Sequence, residues 1–185
     1  MPHPSQVPGL STVRFRYPCP PAPVGSEVLV AASRVCTSTW SKWPETAGGE
    51  GRVLFIGLNP STADHKKDDP SIRRCVGFAK SWGFNRMEIV NLFAYRATYQ
   101  IDLLSADDPV GRLNDLWIRK AHQRSDETIA CWGSTGSHMQ RSIKVAKSLE
   151  GLQCLKLNKD RQPAHPLYLN ANLLPFPYEV ADSRN

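Results

Sequence analysis

A chain of 185 residues, 41% of them hydrophobic, is long enough to bury its own core and most simply forms one domain. Its formal net charge of +6 permits a polyanionic partner without requiring one. Its five cysteines include no Cys-x-x-Cys pair, which argues against a disulfide framework, a zinc ribbon and an iron–sulfur cluster. The amino terminus lacks a signal-peptide pattern and no stretch approaches membrane-span length, so we expect a cytoplasmic protein with no membrane partner.

The first fifty residues differ in composition from the rest of the chain. Prolines crowd the stretch from Pro2 to Pro23, which is typical of an extended arm rather than of packed elements. Within residues 1–50, the alternating stretch Val13–Tyr17 predicts an edge strand, and Glu27–Ser38 predicts a short helix. We therefore expect the folded domain to span residues 51–178, with a short tail over residues 179–185.

From residue 51 onwards, short apolar runs alternate with longer mixed stretches. The runs predict buried strands and the stretches between them predict helices. The predicted strands are Val53–Leu58, Met87–Phe93, Thr128–Trp132 and Gln153–Leu157, and the predicted helices are Pro70–Trp82, Leu113–Ser125 and Met139–Leu149. This alternation favours right-handed crossovers. The sequence thus predicts an α/β fold, a three-layer α/β/α sandwich around a central, mainly parallel four-stranded sheet.

Polar or glycine residues lie at or just beyond the predicted strand ends. Because the carboxyl ends of parallel strands meet at one edge of a sheet, we expect these residues to line a single crevice. The four motifs are Gly57-Leu58-Asn59-Pro60-Ser61, Val90-Asn91-Leu92-Phe93, Cys131-Trp132-Gly133-Ser134 and His165-Pro166-Leu167. Their order indicates an assembled site, although the strand pattern alone does not identify its chemistry.

The order of these motifs resembles the uracil-DNA glycosylase superfamily. There, a Gly-x-(Asp/Asn)-Pro turn, a strand ending in Asn, a Leu-Trp-Gly strand and a His-Pro-Ser-Pro-type loop form the site. Asn59 in place of Asp is similar to the mismatch-specific thymine/uracil branch. Longer stretches of the sequence resemble a bacterial and phage family labelled domain of unknown function 1643, over roughly residues 50–175. The stretches that carry this second resemblance are Leu58–Asp64, Asp69–Arg74 and Asn91–Thr98.

The resemblance implies a DNA glycosylase that hydrolyses the N-glycosidic bond of a base flipped out of DNA. In that reading Asn59 orients the attacking water, and His165 donates a hydrogen bond to the departing base. Since an amide is no strong base, we expect a slow enzyme that favours good leaving groups. No lysine lies inside the motifs, so we expect a monofunctional enzyme without a Schiff base. Neither a metal nor a cofactor is expected.

The resemblance also implies a base-binding pocket. Asn91 offers both a donor and an acceptor to the polar edge of a pyrimidine, and Phe93 can stack on the extruded base. The remaining expected pocket residues are Gly57, Leu58 and Ser61. Ser61 is small where strict uracil enzymes place a tyrosine, so we expect a pocket that admits 5-substituted pyrimidines, including hydroxymethylated or glucosylated bases of phage DNA.

The expected partner is DNA, most simply double-stranded, bound by a monomer. A leucine from the last motif would fill the space that the flipped base vacates, and basic residues after Asn59 would hold phosphates. The residues assigned to these roles are Leu167, Leu169, Lys66, Lys67, Arg73 and Arg74. Leu167 replaces the phosphate-contacting serine of the superfamily. The phosphate contacts would therefore depend on the basic residues.

Two other functions remain open on the same residues. One is hydrolysis or transfer on a free nucleoside or nucleotide, or on RNA. The other is a nucleic-acid-binding module without catalysis.

Each residue also has a plain structural interpretation. A strand-to-helix turn explains Asn59 before Pro60, a surface position explains His165, and packing explains Phe93 and Trp132. Basic residues after Asn59 can be a solvated helix face, and Asp108 and Asn114-Asp115 read as a turn and a helix cap. Arg96 and Thr98 are further candidates to hold a phosphate or a base substituent.

Overall fold

The computed structural model describes residues 38–42, 49–60 and 70–180. The strands are β1 (Ser38–Lys42), β2 (Arg52–Gly57), β3 (Arg86–Asn91), β4 (Glu127–Ala130), β5 (Leu152–Cys154) and β6 (Phe176–Pro177). The helices are α1 (Pro70–Ser81), α2 (Gln100–Leu104), α3 (Asn114–Gln123) and α4 (Arg141–Lys147), with 3-10 segments at Ser134–Gln140 and Pro166–Tyr168. The strand predicted at Val13–Tyr17 lies outside the described residues, as do Ser61, Lys66 and Lys67.

These six strands form one sheet in the order β1-β3-β2-β4-β5-β6. Strands β2 to β5 pair in parallel, which confirms the four predicted strands. The prediction of a four-stranded sheet is corrected, because β1 and β6 add two further strands that close the edges antiparallel to their neighbours. Ser38, predicted to end a helix, instead begins β1 and pairs with Val90. The sheet therefore starts before residue 51, where the sequence placed the domain boundary.

Helices cover both faces of the sheet. Successive side chains of a strand point to opposite faces, so Leu54 of β2 joins a core cluster with Ile118 of α3, whereas Phe55 joins a second cluster with Phe78 of α1. Helices α2 and α4 contribute Leu103 and Val145 to the first cluster. The fold is thus α/β, with a mostly parallel sheet between helices on both faces.

Two helical segments depart from the prediction. Helix α2 was not predicted, because a five-residue helix is too short to show a 3.6-residue period. Helix α4 begins at Arg141 and not at Met139. Met139 and Gln140 have φ of 52° and 55°, in the left-handed region, so a continuous helix cannot run through them.

The sheet and its helices enclose three free cysteines, Cys75, Cys131 and Cys154, all buried. As buried free thiols they pack as small core residues. Within the described ranges, no helix combines the length and the apolar character needed to cross a bilayer.

Candidate functional site

The carboxyl ends of β2 and β3 remain paired beyond the strands themselves. The Leu92 N–H donates to Gly57 O at 2.9 Å, and the Phe93 N–H donates to Leu58 O at 2.9 Å. The amide of Asn91 lies over Gly57, because a Cβ atom built on Gly57 would be 2.7 Å from Asn91 Oδ1. Glycine at this strand end therefore makes room for the Asn91 side chain, and the structure brings the predicted residues Gly57, Leu58 and Asn91 together.

Two buried polar side chains hold the backbone where β3 ends. Asn114 Nδ2 donates to Asn91 O at 3.0 Å and to Leu92 O at 2.7 Å, and Arg141 Nε donates to Leu92 O at 2.8 Å. Asn114 and Arg141 are each 1% exposed. The prediction that Asn114 caps a helix is wrong, since Leu113 is the N-cap of α3 and the Asn114 side chain turns inward to the strand.

A carboxylate compensates the buried charge of Arg141. The Arg141 guanidinium forms an ion pair with Asp115 Oδ1, and Lys144 Nζ lies 3.1 Å from Asp115 Oδ2. Partial burial raises the pKa of Asp115, but the two cations outweigh it and leave that pKa below the ordinary value of 3.8. The predicted turn at Asp108 is present, because Asp108 Oδ1 accepts the Gly111 N–H at 3.0 Å.

The amide of Asn59 joins the loop after β2 to the loop after β3. Asn59 Nδ2 donates to Ala97 O at 2.8 Å and to Pro60 O at 3.1 Å, and the Ala97 N–H donates back to Pro60 O at 3.1 Å. Because the nitrogen is engaged by backbone carbonyls, Oδ1 is the Asn59 atom left to accept a hydrogen bond from a ligand or water.

One end of the loop that carries His165 is attached to the sheet. The Gly133 N–H, just beyond β4, donates to Pro163 O at 2.8 Å. The Ala164 N–H donates to Lys156 O, just beyond β5, at 2.8 Å. The residues immediately before His165 are therefore fixed to the carboxyl ends of two parallel strands.

The other end of this loop is attached to α1 and the turn after it. The Arg74 guanidinium donates to Leu169 O, and Trp82 Nε1 donates to Leu173 O at 3.1 Å. The guanidinium carbon of Arg74 also lies 4.8 Å from the centre of the Phe78 ring. These contacts give Arg74 a role within the protein, and its contact with a phosphate stays a prediction.

Between these two attachments the loop presents His165 and Tyr168. His165 is exposed, and its Nδ1 accepts the Leu167 N–H at 3.4 Å, so a neutral imidazole carries its hydrogen on Nε2. The Tyr168 side chain is 92% exposed, whereas Leu167 and Leu169 are half-buried. The exposed hydrophobic residue of this loop is therefore the tyrosine and not either leucine assigned to fill a vacated base position.

His165 lines an open hollow of about 490 Å³ at the carboxyl edge of the sheet. This volume falls within the range of small-molecule pockets, about 300–1,000 Å³. The lining residues come from α2, from the segments after β4 and β5, and from the His165 loop: Gln100, Gly133, Ser134, Thr135, Lys156, Asn158, Ala164, His165, Tyr168 and Leu169. Among the described residues that line it, neither Asn59 nor Asn91 appears, so the predicted amide and imidazole do not share this hollow.

Sequence reasoning assigned no role to several polar residues of the hollow. Ser134 belongs to the third sequence motif but was given no role of its own, and Lys156 comes shortly after β5, where the strand-end rule used for Asn59 could have identified it. Asn158 Nδ2 donates to Ser134 Oγ at 3.2 Å and links the two segments. Gln100 gave no such signal, because α2 was not predicted.

Two aromatic residues of the motifs belong to the core. Phe93 is fully buried with its ring centre 5.8 Å from that of His138, which corrects the expectation that it stacks on a base. Trp132 is also buried, donates from Nε1 to Gln162 Oε1 at 3.0 Å and meets the Tyr178 ring edge-on. Its packing role agrees with the plain interpretation.

Two further expectations concern a phosphate contact at Arg73 and the metal-binding residues. Arg73 is exposed on α1, where a phosphate contact stays a prediction. Over the described part of the chain, no group of three or more His, Cys, Asp or Glu residues is placed to hold a metal ion.

The family described as protein of unknown function (DUF1643) matches residues 38–167, and the chain belongs to that family. The match begins at the first residue of β1 and ends within the His165 loop. No curated protein and no solved structure matches the chain.

Proposed function

We propose that this member of the DUF1643 family is a monofunctional DNA glycosylase of the uracil-DNA glycosylase type. It would take a modified or mismatched pyrimidine into the hollow beside His165 and hydrolyse the N-glycosidic bond, leaving an abasic site. The observation that carries the proposal is the exposed imidazole of His165, presented in a polar hollow by a loop that is attached to the sheet and to α1.

His165 supplies the electrostatic part of the mechanism. Its Nδ1 accepts a backbone N–H, which leaves Nε2–H as the donor of the neutral ring. A donor at this point stabilises the negative charge that develops on a carbonyl oxygen of the departing base. Because the loop is held at both ends, the backbone that carries His165 is in place before the substrate arrives.

The reaction consumes one water. The bond between the sugar C1′ and the base nitrogen breaks, its electron pair leaves with the base, and the water oxygen bonds to C1′. One water proton passes to solvent, and the released base is then protonated. Asn59 is not among the residues that line the hollow of His165, so in this proposal it acts on the sugar side of the bond, where its Oδ1 accepts a hydrogen bond from this water while its nitrogen is held by Ala97 and Pro60.

Lys156 adds a positive charge to the same hollow. It favours an anionic leaving group or a neighbouring phosphate. The sequence predicts hydrolysis without a Schiff base, and Lys156 makes that prediction testable: borohydride should trap no covalent adduct between the protein and an abasic product.

The open shape of the hollow supports a substrate larger than uracil. A base with a hydroxymethyl or glucosyl group at carbon five needs room at that edge, and a hollow of about 490 Å³ provides it. We propose removal of such bases from phage DNA as the biological role.

A second candidate is hydrolysis or transfer on a free nucleotide. Lys156 and the hydroxyls of Ser134 and Thr135 line the hollow together and are groups that hold a phosphate. This function predicts that a free nucleotide is consumed and that oligomer length has no effect on the rate.

The test incubates the protein with DNAs that carry uracil, a thymine mismatch, or a hydroxymethylated or glucosylated pyrimidine, and identifies released base by mass spectrometry. We expect release from at least one substrate and a fall of about 100-fold or more in kcat for His165→Ala. Arg112→Ala, an exposed position that does not line the hollow, is the control.

Asn59→Ala separates two roles for the amide. If Asn59 orients the water, kcat falls while binding of the modified DNA is unchanged. If it only holds the Ala97 segment, binding weakens together with kcat. Wild-type protein that releases no base from any of these DNAs would contradict the glycosylase proposal.

A further inference from the structure

A second hollow lies beside the first. It has a volume of about 420 Å³ and is formed by the loop after β3 and by α2. Its lining residues are Tyr95, Arg96, Ala97, Thr98, Tyr99, Asp102, Ser105 and Ala106. The mechanism above does not use this space, although Arg96 and Thr98, which the sequence suggested as holders of a phosphate or a base substituent, line it.

The two hollows meet at the start of α2. Tyr99 lines the second hollow, and Gln100, the next residue in the chain, lines the hollow of His165. The backbone just before this point is held in place, because Ala97 is bonded in both directions to the Asn59–Pro60 turn. A ligand that occupies both hollows would therefore cross the chain at residues 99 and 100.

The side chains of the second hollow suit a nucleotide. Tyr99 is 71% exposed, and an exposed aromatic face offers a platform on which any base can stack. Arg96 matches a phosphate or a base edge, and the Asp102 carboxylate accepts from the exocyclic amino group of cytosine or adenine. At the first hollow, Tyr168 offers a second exposed ring.

We propose that the second hollow binds the nucleotide adjacent to the one held beside His165, so that the ligand is a single-stranded segment of DNA. The proposal rests on the proposed function, because it takes a nucleotide to occupy the first hollow, and it selects the modified base of a single strand over the mismatched base, which exists only in a duplex. In a duplex the adjacent base is paired and stacked, and it cannot enter a recess of its own. A single strand has no such restriction.

The test measures fluorescence anisotropy of a short labelled oligodeoxycytidylate, an oligothymidylate and a duplex of the same length. We expect Tyr99→Ala to weaken binding of the oligodeoxycytidylate about tenfold. Ile101→Ala is the matched control, since Ile101 lies on the same helix, is 68% exposed and does not line the hollow; it should change binding less than about twofold.

A second variant tests the chemistry independently of the tyrosine. Asp102→Asn should reduce the preference for oligodeoxycytidylate over oligothymidylate by about fivefold, because the acceptor for the amino group is weakened. The proposal is overturned if Tyr99→Ala behaves like Ile101→Ala, or if the duplex binds as tightly as the single strand.

Base release on the same protein preparations separates this inference from the proposed function. If binding depends on Tyr99 but the protein releases no base, the nucleotide subsite is supported and the glycosylase proposal is contradicted. If base release depends on His165 but binding does not depend on Tyr99, the glycosylase proposal is supported and the subsite proposal is contradicted.

Discussion

Asn91 and Gly57 share one small space at the carboxyl edge of the sheet, where the Asn91 amide occupies the position of a side chain that residue 57 lacks. Gly57→Ala should therefore displace the Asn91 amide and lower the free energy of unfolding by about 1 kcal/mol.

The double variant Gly57→Ala/Asn91→Ala isolates this contact. With the amide removed, alanine at residue 57 meets no clash and fits a strand better than glycine does, so Gly57→Ala should be neutral in the Asn91→Ala background. Urea unfolding of the four proteins measures the coupling. Equal destabilisation in both backgrounds would show that the two residues do not compete for space.

Arg74 should stabilise the His165 loop from the side of α1. Arg74→Met removes the hydrogen bond to Leu169 O, and we expect a loss of about 2 kcal/mol of unfolding free energy. Hydrogen exchange of the Leu169 amide should become faster in the same variant. Arg119→Met, at an exposed position of α3, should have a smaller effect on both; an equal effect would show that the loss does not come from the contact with the loop.

Asp115 should make stability depend on pH. Its pKa in the folded protein lies below the ordinary 3.8, so the stabilisation it provides is complete above that value and is lost as the pH falls below it. Asp115→Asn should cost about 2 kcal/mol at pH 7, because it leaves the buried Arg141 without its counter-charge. Urea unfolding should show that the difference between wild type and variant shrinks at acidic pH, and a difference that is constant with pH would contradict the assignment.

Cys154 should resist alkylation in the folded protein. Burial raises the pKa of its thiol to about 11. At pH 8 the thiolate fraction is then on the order of 100-fold smaller than for an ordinary cysteine, and iodoacetamide should label Cys154 at least that much more slowly than in urea. Mass spectrometry of the Cys154 peptide gives both rates, and rapid labelling without denaturant would show that the residue opens to solvent.

The elements with strong local patterns could be predicted from the sequence. Strands β2 to β5 are short apolar runs, and Pro70 marks the first residue of α1, as its fixed φ favours. The edge strand β1 was missed because its residues carry no alternating apolar pattern, and only pairing with β3 identifies it. The two-residue strand β6 is too short for any pattern.

The arrangement within the site depends on side-chain direction, which residue spacing does not give. Asn114 reads as a cap in the sequence, yet in the structure its amide turns inward to the carbonyls that end β3. Tyr168 and Leu169 are adjacent hydrophobic residues of one loop, and only the structure shows that Leu169 packs against the second core cluster whereas Tyr168 points outward.

The bonds of Asn59 bear on how this chain could evolve. A single nucleotide change converts an asparagine codon into one for aspartate, which would supply a stronger general base. In this fold that carboxylate would have no hydrogen to give to the Ala97 and Pro60 oxygens, and like partial charges would face each other. The backbone carbonyls of the neighbouring loops thus disfavour the substitution of Asn59 by aspartate, although a single nucleotide change would produce it and aspartate is the stronger base.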